Sequence, residues 1–209
     1  MSIRHVMIDI ETLGNDLETG PIIALGAVAF DLEHDVAKPN EEDYVACDKI
    51  TNLSHLYLSI NLVGQREYGL YVDDETLQWW MEKGGRDQLH QIMTADGRWS
   101  LIDAFIQFQQ WIRVISKRDE LRLWSHGVTY DCLHLSTKWP LVVGKSFDDV
   151  CPFRQMRDTR TLFELYEMSV GTPVPQIERT RKHHPLEDAY AQAVSTQAVL
   201  RYFINNPIA

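Results

Sequence analysis

Five side chains carry most of the chemistry this sequence offers: Asp9 and Glu11 in "VMIDIETLG" (6–14), Asp131 closing "WSHGVTYD" (124–131), and His183 with Asp188 in "HHPLEDA" (183–189). As a strand, the first stretch sends Val6, Ile8 and Ile10 to one face and Met7, Asp9 and Glu11 to the other. Two residues of strand rise separate the Cα atoms of the acids by roughly 6.6 Å. The carboxylates can therefore converge on one object, and repel each other without it. A multivalent cation relieves that repulsion; a solvated edge strand is the plainer alternative. Acids from three stretches form an oxygen-rich set suited to magnesium or manganese. Two such ions about 3.5 to 4 Å apart can clamp the attacking and leaving oxygens of a phosphodiester. An imidazole with an ordinary pKa of about 6.5 can take a proton from water near neutral pH.

The elements that must hold these groups follow from periodicity and punctuation. After the first strand, "NDLETGP" supplies turn residues and Ile22 to Asp31 reads as a second, mostly buried strand, so a hairpin is the simplest connection. The polar stretch 31–52 reads as a surface excursion, and His55 to Leu62 as a third strand. "DDETLQWWMEKGG" (73–85) has acid and Thr at its front and two glycines at its end, a helix. In 99–115, Ser100 is placed as N-cap with Asp103 three residues on, and apolar residues recur at 101, 105, 108, 112 and 115. Leu121 to Gly127 reads as a fourth strand, and a helix begins around Asp131. "RDTRTLFELYEMSVG" (157–171) reads as a helix closed by Gly171. Pro185 suits the first turn of a long last helix, where its missing N–H matters little. Strands first, then alternating helices and strands, predict an α/β architecture, a mixed β-sheet flanked by α-helices.

Composition narrows the class. With 209 residues, 44% hydrophobic and 24% charged, the chain fits a single globular domain spanning 1–209. Nothing approaches an apolar run of about 18 residues and acid comes too early for a signal peptide, so a cytoplasmic protein with no membrane partner is expected. Cys47, Cys132 and Cys151 are odd in number and far apart, which argues against a disulfide framework or a zinc ribbon. The net charge of −10 disfavours coating long nucleic acid through a basic surface, but allows gripping a short end with local cations.

In order and spacing, "IDIETLG", "WSHGVTYD" and "HHPLEDA" resemble the three motifs of the DEDDh 3′-5′ exonucleases, which have a ribonuclease H-like fold. "TLQWW" and "RDTRTL" further resemble the branch containing phage exonuclease A and small ribonuclease T-like exoribonucleases. The resemblance implies two ions, Mg2+ or Mn2+. Asp9, Glu11 and Asp188 would bind the first, Asp9 would help bridge to the second, and Asp131 would support the second directly or through water. It makes His183 the general base for water attack on the terminal phosphodiester of single-stranded RNA or DNA 3′ ends, releasing nucleoside 5′-monophosphates. Thr12, Leu13 and Gly14 match the segment that meets the terminal nucleotide. The match departs at Pro185, where the motif often has Ala, and His184 duplicates the histidine, so either imidazole is a candidate base.

Other readings stand beside these. Asp188 and Glu187 alone would complement a helix N-terminus, and Asp131 alone would be an N-cap. Trp79 and Trp80 point about 100° apart on a helix; Trp79 is the candidate for stacking on a base, with packing of both rings as the alternative. Arg179, Arg181 and Lys182 either hold phosphate or form an exposed loop. Two rival classes remain: a catalytically silent module that binds nucleic-acid ends, and a Ser or Cys hydrolase, which lacks a G-x-S-x-G elbow here. Related small exonucleases are often dimers, and the apolar surface of the aromatic-rich helices is compatible with a homodimer.

Overall fold

In the computed structural model, residues 5–45 and 52–207 are described; Cys47 lies outside them. The strands are β1 (His5–Thr12), β2 (Ile22–Phe30), β3 (His55–Ser59), β4 (Arg122–Ser125) and β5 (Met156–Asp158). They form one sheet in the order β3-β2-β1-β4-β5. β2 runs antiparallel to β1 and β3, whereas β4 runs parallel to β1 and β5. The sheet is therefore mixed. The helices are α1 (Asp74–Trp79), α2 (Arg86–Thr94), α3 (Leu101–Ile115), α4 (Asp131–Val143), α5 (Thr159–Val170) and α6 (Pro185–Asn205). Among the described residues no helix is long and apolar enough to cross a membrane.

The alternation of β1 divides the core into two layers. Val6, Ile8 and Ile10 pack with Phe105, Phe108, Trp111 and Ile112 of α3 and with Leu135 and Trp139 of α4. On the other face, Met7 joins Leu186, Ala189 and Ala193 of α6, and there β1 also carries Asp9 and Glu11. Small residues let α6 lie close: Gly26, the register partner of Asp9, is where a Cβ would collide with the backbone of Pro185 and Leu186. Ser100 caps α3 by accepting from the Asp103 N–H, as the spacing predicts.

Several boundaries differ from the periodicity. The third strand ends at Ser59, after which Ile60 bridges to Trp99 instead of continuing the ladder. The helix expected over 73–85 is α helical only to Trp79 and widens into a π turn over Trp80–Gly84. Gly84 is required there because a side chain would strike the Trp79 indole. α2 and β5 are elements that the periodicity did not separate: α2 buries only Leu89 and Ile92, and β5 is three residues long. Asp158 ends β5 and caps α5 by accepting from the Thr161 N–H.

Candidate active site

The parallel pairing of β1 with β4 stops at Met7 opposite Trp124. Beyond it, the Ile10 N–H donates to Asp131 Oδ1 at 3.1 Å, so the first residue of α4 substitutes for the missing strand. This brings Asp131 to the acidic end of β1. Asp188 arrives from the opposite layer, in the first turn of α6, where the helix dipole favours a carboxylate. Its Oδ1 accepts from Arg179 Nη1 at 2.6 Å and its Oδ2 from the His183 N–H at 3.0 Å. The second bond sustains a backbone outlier. His183 sits at φ 60°, in the left-handed region that non-glycine residues occupy at a cost of about 1 kcal/mol or more.

That curl places the His183 ring against Trp79, with centroids 5.2 Å apart, and against Trp80 at 5.9 Å. It also groups ligand atoms of Glu11, His183 and Asp188 within 4.8 Å of one another. Asp9 lies beside them on the same face of β1, its Oδ1 accepting from Gln192 Nε2 at 2.9 Å. His184 turns the other way: it is buried between Tyr44 and Tyr57, and burial pushes its pKa down to about 4. The two adjacent imidazoles thus have different surroundings, one beside the acids and one in the core.

The acids perturb one another. Burial first, then the charges of Asp131 and Asp188, holds the Asp9 carboxyl well above the usual range, although Gln192 and Arg179 oppose the shift. Glu11 is raised by burial and then by Asp9, Asp188 and Asp131. Asp131 is pushed up to about 7, mainly by burial, against the Ile10 hydrogen bond. Asp188 rises through burial despite Arg179, and burial lowers His183. Four carboxyls in each other's field, two of them with part of their surface open to solvent, fit hard divalent cations that replace hydration with oxygen ligands.

A cleft of about 420 Å³ opens beside Glu11, walled by Thr12, Asn15, Thr76, Trp79, Trp80 and Tyr130. Its wall is cross-tied. Tyr130 Oη shares a hydrogen bond with Thr12 Oγ1 at 2.7 Å, and Trp80 Nε1 donates to the Thr12 carbonyl at 3.0 Å. Trp80 is buried and Trp79 is 40% exposed, so the adjacent indoles divide between core and cleft. Leu13 and Gly14 are not among the lining residues: the Leu13 side chain belongs to the α6-side core, and Gly14 packs on Gly20.

Sequence reasoning missed Gln192 and Tyr130. Gln192 follows Asp188 by four positions, the spacing that puts two residues on one helix face, and Tyr130 directly precedes Asp131. Glu187, beside Asp188, serves another purpose. It accepts from Tyr44 Oη and from the Thr180 N–H, tying the loop before α6 to the segment after β2.

The sequence matches the Rv2179c-like 3′-5′ exoribonuclease domain over residues 4–200. No curated protein matches it in sequence. Among solved structures, Escherichia coli exonuclease I in complex with a dT13 oligonucleotide superposes with a TM-score of 0.59 at 10% identity, covering 95% of this chain and 40% of that one. Cell-death related nuclease 4 (CRN-4) gives 0.54 at 16% identity, over 97% and 64%. Schizosaccharomyces pombe Pop2p in its Mg2+- and Mn2+-bound form gives 0.53 at 12%, over 96% and 84%. The chain thus spans about two fifths of the length of exonuclease I. At these identities the likeness shows the fold, a ribonuclease H-like sheet with flanking helices.

Proposed function

The chain belongs to the Rv2179c-like 3′-5′ exoribonuclease domain family, and from that premise we propose that it is a metal-dependent exonuclease that hydrolyses single-stranded 3′ ends to nucleoside 5′-monophosphates. The observation that carries this reading is the convergence of Glu11, His183 and Asp188 beside Asp9 and Asp131, next to a cleft large enough for a nucleotide. The family description favours RNA; single-stranded DNA is the comparison substrate. Divalent ions held by Asp9, Glu11 and Asp188, with Asp131 supporting a second, would supply Lewis-acid stabilisation of the phosphoryl oxygens. Everything else falls to side chains. His183 accepts the proton of the attacking water at an imidazole nitrogen; its lowered pKa keeps the ring neutral, and able to accept, at pH 7. Thr12 and Tyr130 shape the wall against which the terminal nucleoside rests, and the exposed Trp79 offers a face for its base. Gln192 holds Asp9 and Arg179 holds Asp188, keeping both carboxylates aimed at one region.

The test is a time course on 5′-labelled single-stranded RNA and DNA with magnesium or manganese against a chelator. Metal-dependent ladders shortening from the 3′ end are expected. Binding of the 3′ end without shortening would assign the chain to the silent end-binding class.

A further inference from the structure

We propose that a second, smaller cavity on the α5 side of the acids is the subsite for the phosphodiester one nucleotide upstream of the bond to be cut, with Arg160 and Arg179 as its cations. This rests on the exonuclease reading. The cavity measures about 110 Å³ and is lined by His126, Phe163, Arg179 and Gln192, among others. That is below the roughly 300 to 1,000 Å³ of small-molecule sites, so it suits a phosphate group better than a nucleoside. The larger cleft, about 420 Å³, falls within that range.

The two cavities flank the acids. Glu11 lines the larger one, whereas Gln192 and Arg179, which hold Asp9 and Asp188, line the smaller. A strand cut at its terminal bond extends to both sides of the reacting phosphate. If the terminal nucleoside fills the larger cleft, the chain behind it leaves past the smaller one. Arg160 is not itself a lining residue; its guanidinium lies beside Gly127, next in sequence to the lining residue His126, and its charge acts on both Asp131 and His126. It is exposed and forms no ion pair among the described residues. Its guanidinium lies over Gly127, 3.5 Å from where a Cβ would be. Gly127, at φ 120°, lies in the turn after β4 and leaves no side chain beneath the guanidinium. In a protein of net charge −10, the two guanidiniums offer a phosphate backbone local cations beside the carboxyls, Arg179 through the N–H groups it does not direct at Asp188.

The experiment compares a short single-stranded oligonucleotide with the p-nitrophenyl ester of a nucleoside 5′-monophosphate of the same sugar, which carries the reacting phosphate and no upstream one. Arg160→Ala is expected to raise KM for the oligonucleotide by about tenfold more than for the ester, the scale of one charged hydrogen bond. In fluorescence anisotropy with chelator, the same variant should reduce the salt slope of oligonucleotide binding by about 0.7, one phosphate contact on a single strand. Arg160→Lys should restore that slope. Equal KM changes for both substrates would overturn the proposal, because they would reduce Arg160 to a field on Asp131. So would relief of inhibition by nucleoside monophosphate with no change in oligonucleotide KM, since the cavity would then serve the product. A wild-type protein that cuts neither substrate refutes the exonuclease reading instead, and the anisotropy slope still decides whether Arg160 meets a phosphate.

Discussion

Val6, Ile8 and Ile10 leave one face of β1 and meet the rings of α3 and α4; Met7, Asp9 and Glu11 leave the other and meet α6. On the first face each buried aliphatic side chain contributes about 1.5–3 kcal/mol through lost apolar surface. On the second, two of three side chains are acids with raised pKa values, facing Asp188 and close enough to feel Asp131. Ionised, they oppose folding. A single strand thus carries the centre of the core and a group of charges that destabilises it, and what the second face loses in stability it gains in readiness for cations.

Removing the charge while keeping the shape separates the two effects most sharply. Asp9→Asn retains an oxygen for Gln192 and is expected to lower kcat by about 10³ or more, several kcal/mol of transition-state stabilisation, while raising the thermal stability of the chelator-treated protein. Loss of both activity and stability would mean that Asp9 is a structural acid. Next in size is the pH response of Asp131. Burial pushes its carboxyl up to about 7 in the folded protein, against about 3.9 in an unfolded chain, so the folded state binds the extra proton between these values. The stability this confers is full below pH 4 and is lost as pH rises through 7. In chelator, Asp131→Asn should therefore match the wild type near pH 4 and exceed it by on the order of 3 kcal/mol at pH 8. Comparing the two proteins cancels the buried histidines, whose lowered pKa values act in the opposite direction.

The positioning of the acidic face is open to test from the opposite strand. Gly26→Ala would push the start of α6 off β2 and with it Asp188. A cost of about 1–3 kcal/mol in stability and a loss of roughly 10² in rate are expected. His183→Ala should also reduce the rate by about 10², with melting temperature little changed, whereas His184→Ala should chiefly destabilise, since that ring fills the core between Tyr44 and Tyr57. The reverse pattern would exchange their roles. Smallest, Trp79→Ala should raise KM about tenfold if its indole stacks on a base.

Much of this comparison was legible in the sequence because it depends on period two: the alternation of Val6, Ile8 and Ile10 with Met7, Asp9 and Glu11 is visible in the residue string. The start of α6 was legible from Pro185, and the cap of α3 from Ser100. What separates His183 from His184 was not, since it lies in one left-handed φ held by a bond to Asp188, a tertiary contact. The π turn that divides Trp79 from Trp80 is likewise invisible to a helical repeat. β5 is too short to show a period, and Leu13, read as meeting the terminal nucleotide, is drawn into the core by the bend after β1.

On the exonuclease reading, the claim to test is that divalent cations complete the acids on the α6-facing side of β1. Thermal unfolding at pH 8, with millimolar Mg2+ or Mn2+ against chelator, addresses it directly. A ligand at about a hundred times its Kd adds about 2.7 kcal/mol, so a rise of roughly 5–10 °C is predicted for the wild type, together with a much smaller rise for Asp9→Asn. Identical melting of the wild type with either cation and with chelator would contradict the claim.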